Sequence, residues 1–137
     1  MRTPSFVEVT ADADGRLQTR LTHLPSGTQL LTDAPKDNGG QGASFSPTDL
    51  LASALLSCML TTMALVAARE GVAWGPTRGR VEKHMNASPR RVGLLVVELW
   101  LPSGLTPEQR THMQHVAETC PVQRSLHPDV QLSVHYH

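Results

Sequence analysis

The sequence predicts an α+β fold in which antiparallel sheets pack around one long central helix. Three observations support this class. An uncharged stretch, Leu50 to Ala68, is bounded by helix signals, short segments of alternating polarity precede it, and further strand and helix patterns follow it. That order is typical of an α+β fold rather than a wound parallel sheet. With 137 residues and 39% apolar composition, the chain is too short for two well-formed cores, so one domain spanning residues 1–137 is expected.

The first third of the chain has the pattern of short antiparallel strands. Residues in these segments alternate between apolar and polar types, and glycine-containing turn signals separate them. A glycine-rich stretch from Asp33 to Phe45 is loop by composition. The predicted strands are Phe6–Thr10, Leu17–Leu21 and Thr28–Thr32, with turns at Asp14-Gly15 and Pro25-Ser26-Gly27.

The start of the central helix carries the strongest local signal. Ser46 is a capping residue, Pro47 suits the first helical position, and Asp49 lies where a capping-box acid is expected. The helix should run to about Glu70 and end at Gly71. Its length of roughly 36 Å is large for so small a domain, which indicates an element on which the sheets and a second subunit pack.

The rest of the chain predicts a second strand pair, two helices and a last strand. Thr106, Pro107 and Gln109 form the cap, first position and capping box of a helix that continues to about Thr119. Cys120-Pro121 then begins a short helix. The predicted strands are Thr77–Met85 and Val92–Leu101, joined by a turn at Asn86–Pro89, and a final strand at Val130–Tyr136.

Composition argues against several classes of function. Twelve basic residues balance twelve acidic ones, so nucleic acid and anionic membrane surfaces are not expected partners. Leu50 to Ala68 approaches the length of a membrane span, but its Ala, Ser and Thr content and its lack of a basic N-terminal flank favour a buried helix. Met1 to Thr10 lacks a secretory pattern, and two cysteines cannot form a disulfide framework, so a cytoplasmic location is expected.

The two cysteines are the candidate reactive groups. Cys58 lies inside the uncharged helix, where burial would raise its pKa, so a small core residue is the alternative to a nucleophile. Cys120 precedes a short helix whose free N–H groups favour a thiolate, and capping or core packing is its alternative role. They are sixty-two residues apart and form no C-x-x-C motif, which excludes a thioredoxin-type couple and a four-cysteine zinc site.

Seven histidines raise the question of a metal site. His112 and His115 share a helix face, and His135 and His137 share a strand face. Neither pair has a carboxylate or cysteine at ligand spacing, and exposed polar faces explain both. The sequence therefore predicts no metal and no cofactor.

Motifs around both cysteines resemble those of the OsmC/Ohr family, the osmotically inducible protein C and organic hydroperoxide resistance proteins. The motifs are Ser46-Pro47-Thr48-Asp49-Leu50-Leu51 followed by Ala54-Leu55-Leu56-Ser57-Cys58, and Cys120-Pro121-Val122 downstream. Pro25-Ser26-Gly27, Asp33-Ala34-Pro35 and Gly39-Gly40 are similar as well, so the resemblance covers nearly the whole chain.

The resemblance implies both an assembly and a reaction. It implies an intertwined OsmC-like homodimer, with two long helices at the centre and two active sites at the subunit interface. It implies reduction of organic hydroperoxides, with Cys58 as the peroxidatic and Cys120 as the resolving thiol. A dithiol reductant of the lipoamide or thioredoxin type would regenerate them. The alternatives are a non-enzymatic redox sensor or small-molecule binder on the same scaffold, and a structural protein with two buried thiols.

The resemblance also bears on how the thiol is activated. Family peroxidases have an arginine paired with a glutamate just after the proline that opens the central helix. The glutamate position is Thr48 here, with Asp49 beside it as a substitute or as a capping acid. Relatives have Gly-x-Leu-Arg where this chain has Gly15-Arg16-Leu17-Gln18. Arg16 and Arg20 are therefore the candidate cations, with a solvated surface charge as the alternative role of each.

Overall fold

A computed structural model describes all 137 residues, which form two compact units, Met1–Leu50 and Leu51–His137. The expectation of a single domain stays a prediction. The long central helix begins within the first unit and continues into the second.

The first unit contains a three-stranded antiparallel sheet. Its strands are β1 (Ser5–Ala11), β2 (Leu17–His23) and β3 (Gln29–Thr32), in the order β1-β2-β3. The Asp12 carboxylate closes the first turn by accepting from the backbone N–H groups of Asp14 (2.8 Å) and Arg16 (2.9 Å). The predicted hairpins are therefore confirmed, and Arg16 lies in the turn just before β2.

The glycine-rich connection after β3 is tied down by a buried aspartate. Asp33 is 6% exposed, and its carboxylate accepts from the backbone N–H of Ala43 at 3.0 Å. Its own N–H donates to the carbonyl oxygen of Phe45, also at 3.0 Å. Apart from a single 3₁₀ turn at Lys36–Asn38, the segment is the predicted loop, and it delivers the chain to the start of the long helix.

Helix α1 (Pro47–Glu70) has the predicted bounds. Both capping-box bonds form: the Asp49 N–H donates to Ser46 Oγ (3.1 Å), and the Ser46 N–H donates to the Asp49 carboxylate (2.8 Å). The helix ends at Gly71, whose φ of 68° is left-handed. By length and composition α1 could also cross a membrane, a test that core helices of soluble proteins pass too.

The second unit combines a three-stranded sheet with the remaining helices. Its elements are β4 (Arg78–Ala87), β5 (Arg90–Trp100), α2 (Pro107–Ala117), α3 (Pro121–Ser125) and β6 (Gln131–Tyr136). The sheet order is β4-β5-β6, with β4 and β5 antiparallel. The last strand differs from the prediction of purely antiparallel sheets, because β6 pairs with β5 in parallel. A parallel neighbour requires a long crossover, which α2 and α3 provide.

The core of the second unit lies between α1 and this sheet. Leu55, Met59 and Met63 repeat at helical spacing along α1 and are fully buried. Alternate residues of β5 meet them, and α2 adds Met113 and Ala117. The other fully buried large side chains of this core are Leu95, Val97, Leu99, Met113 and Cys120.

Gly79 on β4 packs directly against Leu56 of α1. A Cβ added there would lie 2.5 Å from Leu56 Cδ1 and 2.9 Å from the Glu98 carbonyl oxygen. We therefore expect Gly79→Ala to lower the free energy of unfolding by about 1–3 kcal/mol, as overpacked cores do. Urea unfolding at fixed protein concentration measures this loss.

Gly75→Ala is the matched control, since a Cβ at Gly75 would meet no atom within 4 Å. It should change stability by no more than about 0.5 kcal/mol. Equal effects of the two substitutions would show that the contact between Leu56 and Gly79 does not limit the packing.

Candidate active site

Cys58 lies at the border between the buried face and the exposed face of α1. Its neighbours in the helix, Leu55 and Met59, are fully buried, whereas Cys58 is half-buried. Seven residues are close to two helical turns, so Leu51 and Leu65 share its face, and they are 38% and 51% exposed. Cys58 is therefore shielded on most sides by the helix and the core, although it is not fully buried.

Cys120 is held at the start of α3 in the opposite situation. It is fully buried, and it is the N-cap residue of that helix. Its sulfur accepts a hydrogen bond from the backbone N–H of Gln123 at 3.4 Å. Both roles foreseen for Cys120 from the sequence, capping and core packing, are thus present in the structure.

Folding brings the two cysteines together. The Cys58 side chain lies close enough to Cys120 to raise the pKa of the Cys120 thiol, and both cysteines are free thiols. One helix, α1, contributes the half-buried thiol, and the start of α3 contributes the buried one. A partly accessible thiol backed by a buried thiol is the arrangement that sulfenic acid formation followed by disulfide formation requires.

Burial raises the pKa of the Cys120 thiol above its ordinary value of 9.0. The backbone N–H groups of Gln123 and Val122 act in the opposite direction, because they stabilise the thiolate. The hydrogen bond to Cys58 and the charge of a Cys58 thiolate raise the pKa further. The sequence predicted that the start of α3 favours a thiolate at Cys120, but desolvation outweighs that effect, and Cys120 is a protonated thiol at neutral pH.

The two candidate arginines belong to the first unit. Arg16 precedes β2, and its guanidinium is exposed, 3.8 Å from the Asp14 carboxylate. Arg20 lies within β2, half-buried, opposite Glu8 of β1 and Leu31 of β3. Arg16 thus lies in the turn held by Asp12, one residue before β2, whereas Arg20 lies within the strand. Activation of Cys58 by either arginine stays a prediction.

Asp49 has a defined role in the structure as the capping-box acid of α1. This is one of the two roles that its position in the sequence allowed. Its second suggested role, orienting an arginine, stays a prediction.

The histidine pairs make separate contacts. His112 Nε2 lies 2.9 Å from a Glu70 carboxylate oxygen, which ties α2 to the end of α1. His135 Nε2 is 3.0 Å from Ser133 Oγ, and the His137 ring stacks on Trp100. No group of three or more His, Cys, Asp and Glu side chains is arranged to hold a metal ion.

Two residues near the thiols were not singled out from the sequence. Gln123 donates its backbone N–H to Cys120, and its buried side-chain oxygen has no hydrogen-bond partner. The Thr62 hydroxyl donates to the Cys58 carbonyl oxygen at 2.7 Å. The first contact follows from the N-cap spacing, since the third residue of a helix donates to the cap. The unpaired oxygen of Gln123 has no signal in the sequence.

Comparisons with known proteins agree with this geometry. The family model for OsmC-like proteins matches residues 39–135. A candidate osmotic stress induced and detoxification response protein from Psychrobacter arcticus is 40% identical, with 96% of this chain and 94% of that chain covered and a TM-score of 0.86. No curated protein matches the chain.

Two more distant structures share the fold. The organic hydroperoxide resistance protein OsmC of Legionella pneumophila is 17% identical, with 97% of this chain and 96% of that chain covered and a TM-score of 0.74. OhrB of Bacillus subtilis, an organic hydroperoxide resistance protein, is also 17% identical, with 98% of each chain covered and a TM-score of 0.63. The predicted α+β class of the OsmC/Ohr family is confirmed.

The unequal burial of the two thiols predicts unequal alkylation. At neutral pH, iodoacetamide should modify Cys58 first and Cys120 far more slowly, because Cys120 is buried and protonated. The Cys120 rate should still be rising as the pH passes 9.0, the ordinary pKa of the thiol. Peptide mass spectrometry measures both rates, with urea-unfolded protein as the control in which they converge. Equal rates in the folded protein would contradict the assignment.

Proposed function

The chain belongs to the OsmC-like protein family, and we propose that it is a thiol-dependent peroxidase that reduces organic hydroperoxides through Cys58 and Cys120. The observation that carries the proposal is the neighbouring pair of free thiols, one half-buried and one fully buried. Names of structural neighbours, among them organic hydroperoxide resistance proteins, support the substrate class.

In the proposed reaction, two electrons pass from the thiols to the peroxide. The Cys58 thiolate attacks one oxygen of the O–O bond, which breaks, and the other oxygen leaves as the alcohol after taking up a proton. Cys58 is then a sulfenic acid. The Cys120 sulfur attacks the Cys58 sulfur, the S–O bond breaks, and a disulfide and water form. An external dithiol of the lipoamide or thioredoxin type returns both cysteines to thiols by disulfide exchange.

The electrostatics of the pair support this order of events. Cys120 stays protonated beside a reduced Cys58, so Cys58 is the thiol that meets the peroxide. Two of the causes that raise the Cys120 pKa depend on Cys58 itself, namely the hydrogen bond and the thiolate charge. Sulfenic acid formation removes that charge. The pKa of Cys120 then falls, and Cys120 becomes a better nucleophile at the step in which it is needed.

The exposed apolar surface of the chain supports a homodimer. In the first unit, Phe6, Val9 and Leu17 are 56%, 69% and 72% exposed, and in the second unit Leu65 of α1 is 51% exposed. Exposed large apolar side chains of this kind are typical of a surface that a second subunit covers. We place the working dimer in the cytoplasm, where a reducing environment keeps both cysteines free.

Peroxide treatment tests the proposed chemistry directly. One equivalent of cumene hydroperoxide should remove both free thiols of the reduced protein and give an intramolecular Cys58–Cys120 disulfide. Cys120→Ser should stop at a sulfenic or over-oxidised Cys58, and Cys58→Ser should consume no peroxide above the buffer rate. Thiol titration and mass spectrometry distinguish these products. Only intersubunit disulfides, or two thiols that survive the dose, would instead favour the non-enzymatic alternatives.

Dimerisation is tested by light scattering at low protein concentration. We expect a dimer whose dissociation is coupled to unfolding, because the monomer leaves too much apolar surface in water. The unfolding midpoint should therefore rise with protein concentration. A folded monomer with a concentration-independent midpoint would contradict the proposed assembly.

Activation by the arginines is tested in the Cys120→Ser background. Loss of a cation that stabilises the Cys58 thiolate should lower the fraction of thiolate at neutral pH and slow the alkylation of Cys58 there. The measurement is the pH dependence of Cys58 alkylation in Arg16→Ala, Arg20→Ala and the double variant. Arg2→Ala, in the tail before β1, controls for net charge. Superimposable profiles would exclude both arginines.

A further inference from the structure

A cavity opens in the second unit, and neither cysteine lines it. Its walls are residues 73–78, which lead into β4, and residues 100–103 at the end of β5. Its volume of about 730 Å³ lies within the range of small-molecule sites. Trp74 and Trp100, the two tryptophans of the chain, both line it.

Arg78 is the one charged residue in this lining. Its guanidinium carbon lies 4.9 Å from the centroid of the Trp100 ring, a cation–π contact between directly paired residues of β4 and β5. Arg80, two residues along β4 on the same face, pairs with the carboxylates of Glu82 (2.8 Å) and Glu98 (3.5 Å). Arg78 has no such carboxylate partner, so its N–H donors remain available.

The aromatic platform under Arg78 is already assembled. The His137 ring stacks on Trp100 with centroids 5.1 Å apart and planes inclined by 22°. The His137 N–H donates to the Leu99 carbonyl oxygen at 2.7 Å, and the Leu101 N–H donates to the His137 carbonyl oxygen at 2.9 Å. These bonds extend the pairing of β5 and β6, and together with the stacked His137 ring they fix the position of the Trp100 ring. A ligand would therefore lose little free energy in ordering this side chain.

Trp74 belongs to the same segment of the lining as Arg78, and its side chain is partly buried against the core. Its indole Nε1 is buried and has no hydrogen-bond acceptor, so this atom faces the protein interior and offers no donor to the cavity. The polar contribution of the lining therefore comes from Arg78, beside the fixed aromatic surface of Trp100.

We propose that this cavity binds a small organic carboxylate with a planar or apolar body. The guanidinium of Arg78 would take the carboxylate by paired N–H···O bonds, and the body would lie against the tryptophan and proline side chains of the lining. This site does not depend on the thiol chemistry. Cys58→Ser should therefore bind the same ligand as the unmodified protein.

Phenylacetate is a suitable probe, and tryptophan fluorescence is a suitable signal because both tryptophans line the cavity. We expect saturable binding of phenylacetate, confirmed by calorimetry. Phenylacetamide, which has the same body without the charge, and acetate, which has the charge without the body, should each bind at least tenfold more weakly. Equal affinity for phenylacetate and phenylacetamide, or no saturation with phenylacetate, would overturn the proposal.

Substitution of the arginine separates this site from non-specific anion binding. Arg78→Gln should weaken phenylacetate binding by roughly ten- to a hundredfold, the range for loss of a charged hydrogen-bond pair. Arg78→Lys keeps the positive charge but not the planar guanidinium. Its affinity for phenylacetate should lie between those of the unmodified protein and Arg78→Gln. Arg80→Gln is the matched control and should bind within about twofold of the unmodified protein. Equal losses in Arg78→Gln and Arg80→Gln, or unchanged binding in folded Arg78→Gln, would refute the assignment.

Discussion

The position of the candidate site depends on which face of helix α1 packs against the second sheet. This contact fixes the rotation of the helix about its own axis. Leu55, Met59 and Met63 are fully buried in that contact, and burial of such side chains contributes about 1.5–3 kcal/mol each. A neutral hydrogen bond contributes about 0.5–1.5 kcal/mol net. The thiol contact is therefore a consequence of the packing of α1, and it is too weak to determine that packing.

The parallel pairing of β5 and β6 brings the second thiol to the first. A parallel neighbour needs a crossover, and here the crossover contains α2, whose Met113 and Ala117 are fully buried in the core. Cys120 follows Ala117 by three residues, and its N–H donates to the Ala117 carbonyl oxygen at 3.3 Å. The packing of α2 on the core therefore also determines how deeply Cys120 is buried. This explains why Cys120 is the buried thiol of the pair.

Local signals in the sequence were sufficient to predict the helices and strands. The features that could not be predicted depend on contacts between residues far apart in the chain. The caps at Ser46 and Thr106 act within one helical turn, so their effect can be predicted from neighbouring residues. The burial of Cys58 depends on which face of α1 meets the sheet, and a helix without charged residues between Leu50 and Ala68 does not reveal that face. The pKa of Cys120 depends on a balance between N–H donors, which the sequence indicates, and desolvation, which only the packed core determines. The pairing of Arg78 with Trp100 similarly follows from strand register rather than from spacing along the chain.

The exposed face of α1, which carries Leu51 and Leu65, has two functions in the proposed dimer. It contacts the second subunit, and it gives peroxide access to Cys58. Leu51 and Leu65 lie about 10 Å to either side of Cys58, at 1.5 Å per residue, and both are exposed enough to contact a second subunit. The exposed residues one turn from the thiol on the same face, Ala54 and Thr61, are small. Two large apolar anchors separated by small residues leave room opposite the thiol. Subunit contact at the leucines is therefore compatible with an open path to Cys58, and an enlarged side chain at Ala54 would obstruct the path before it disturbed the core.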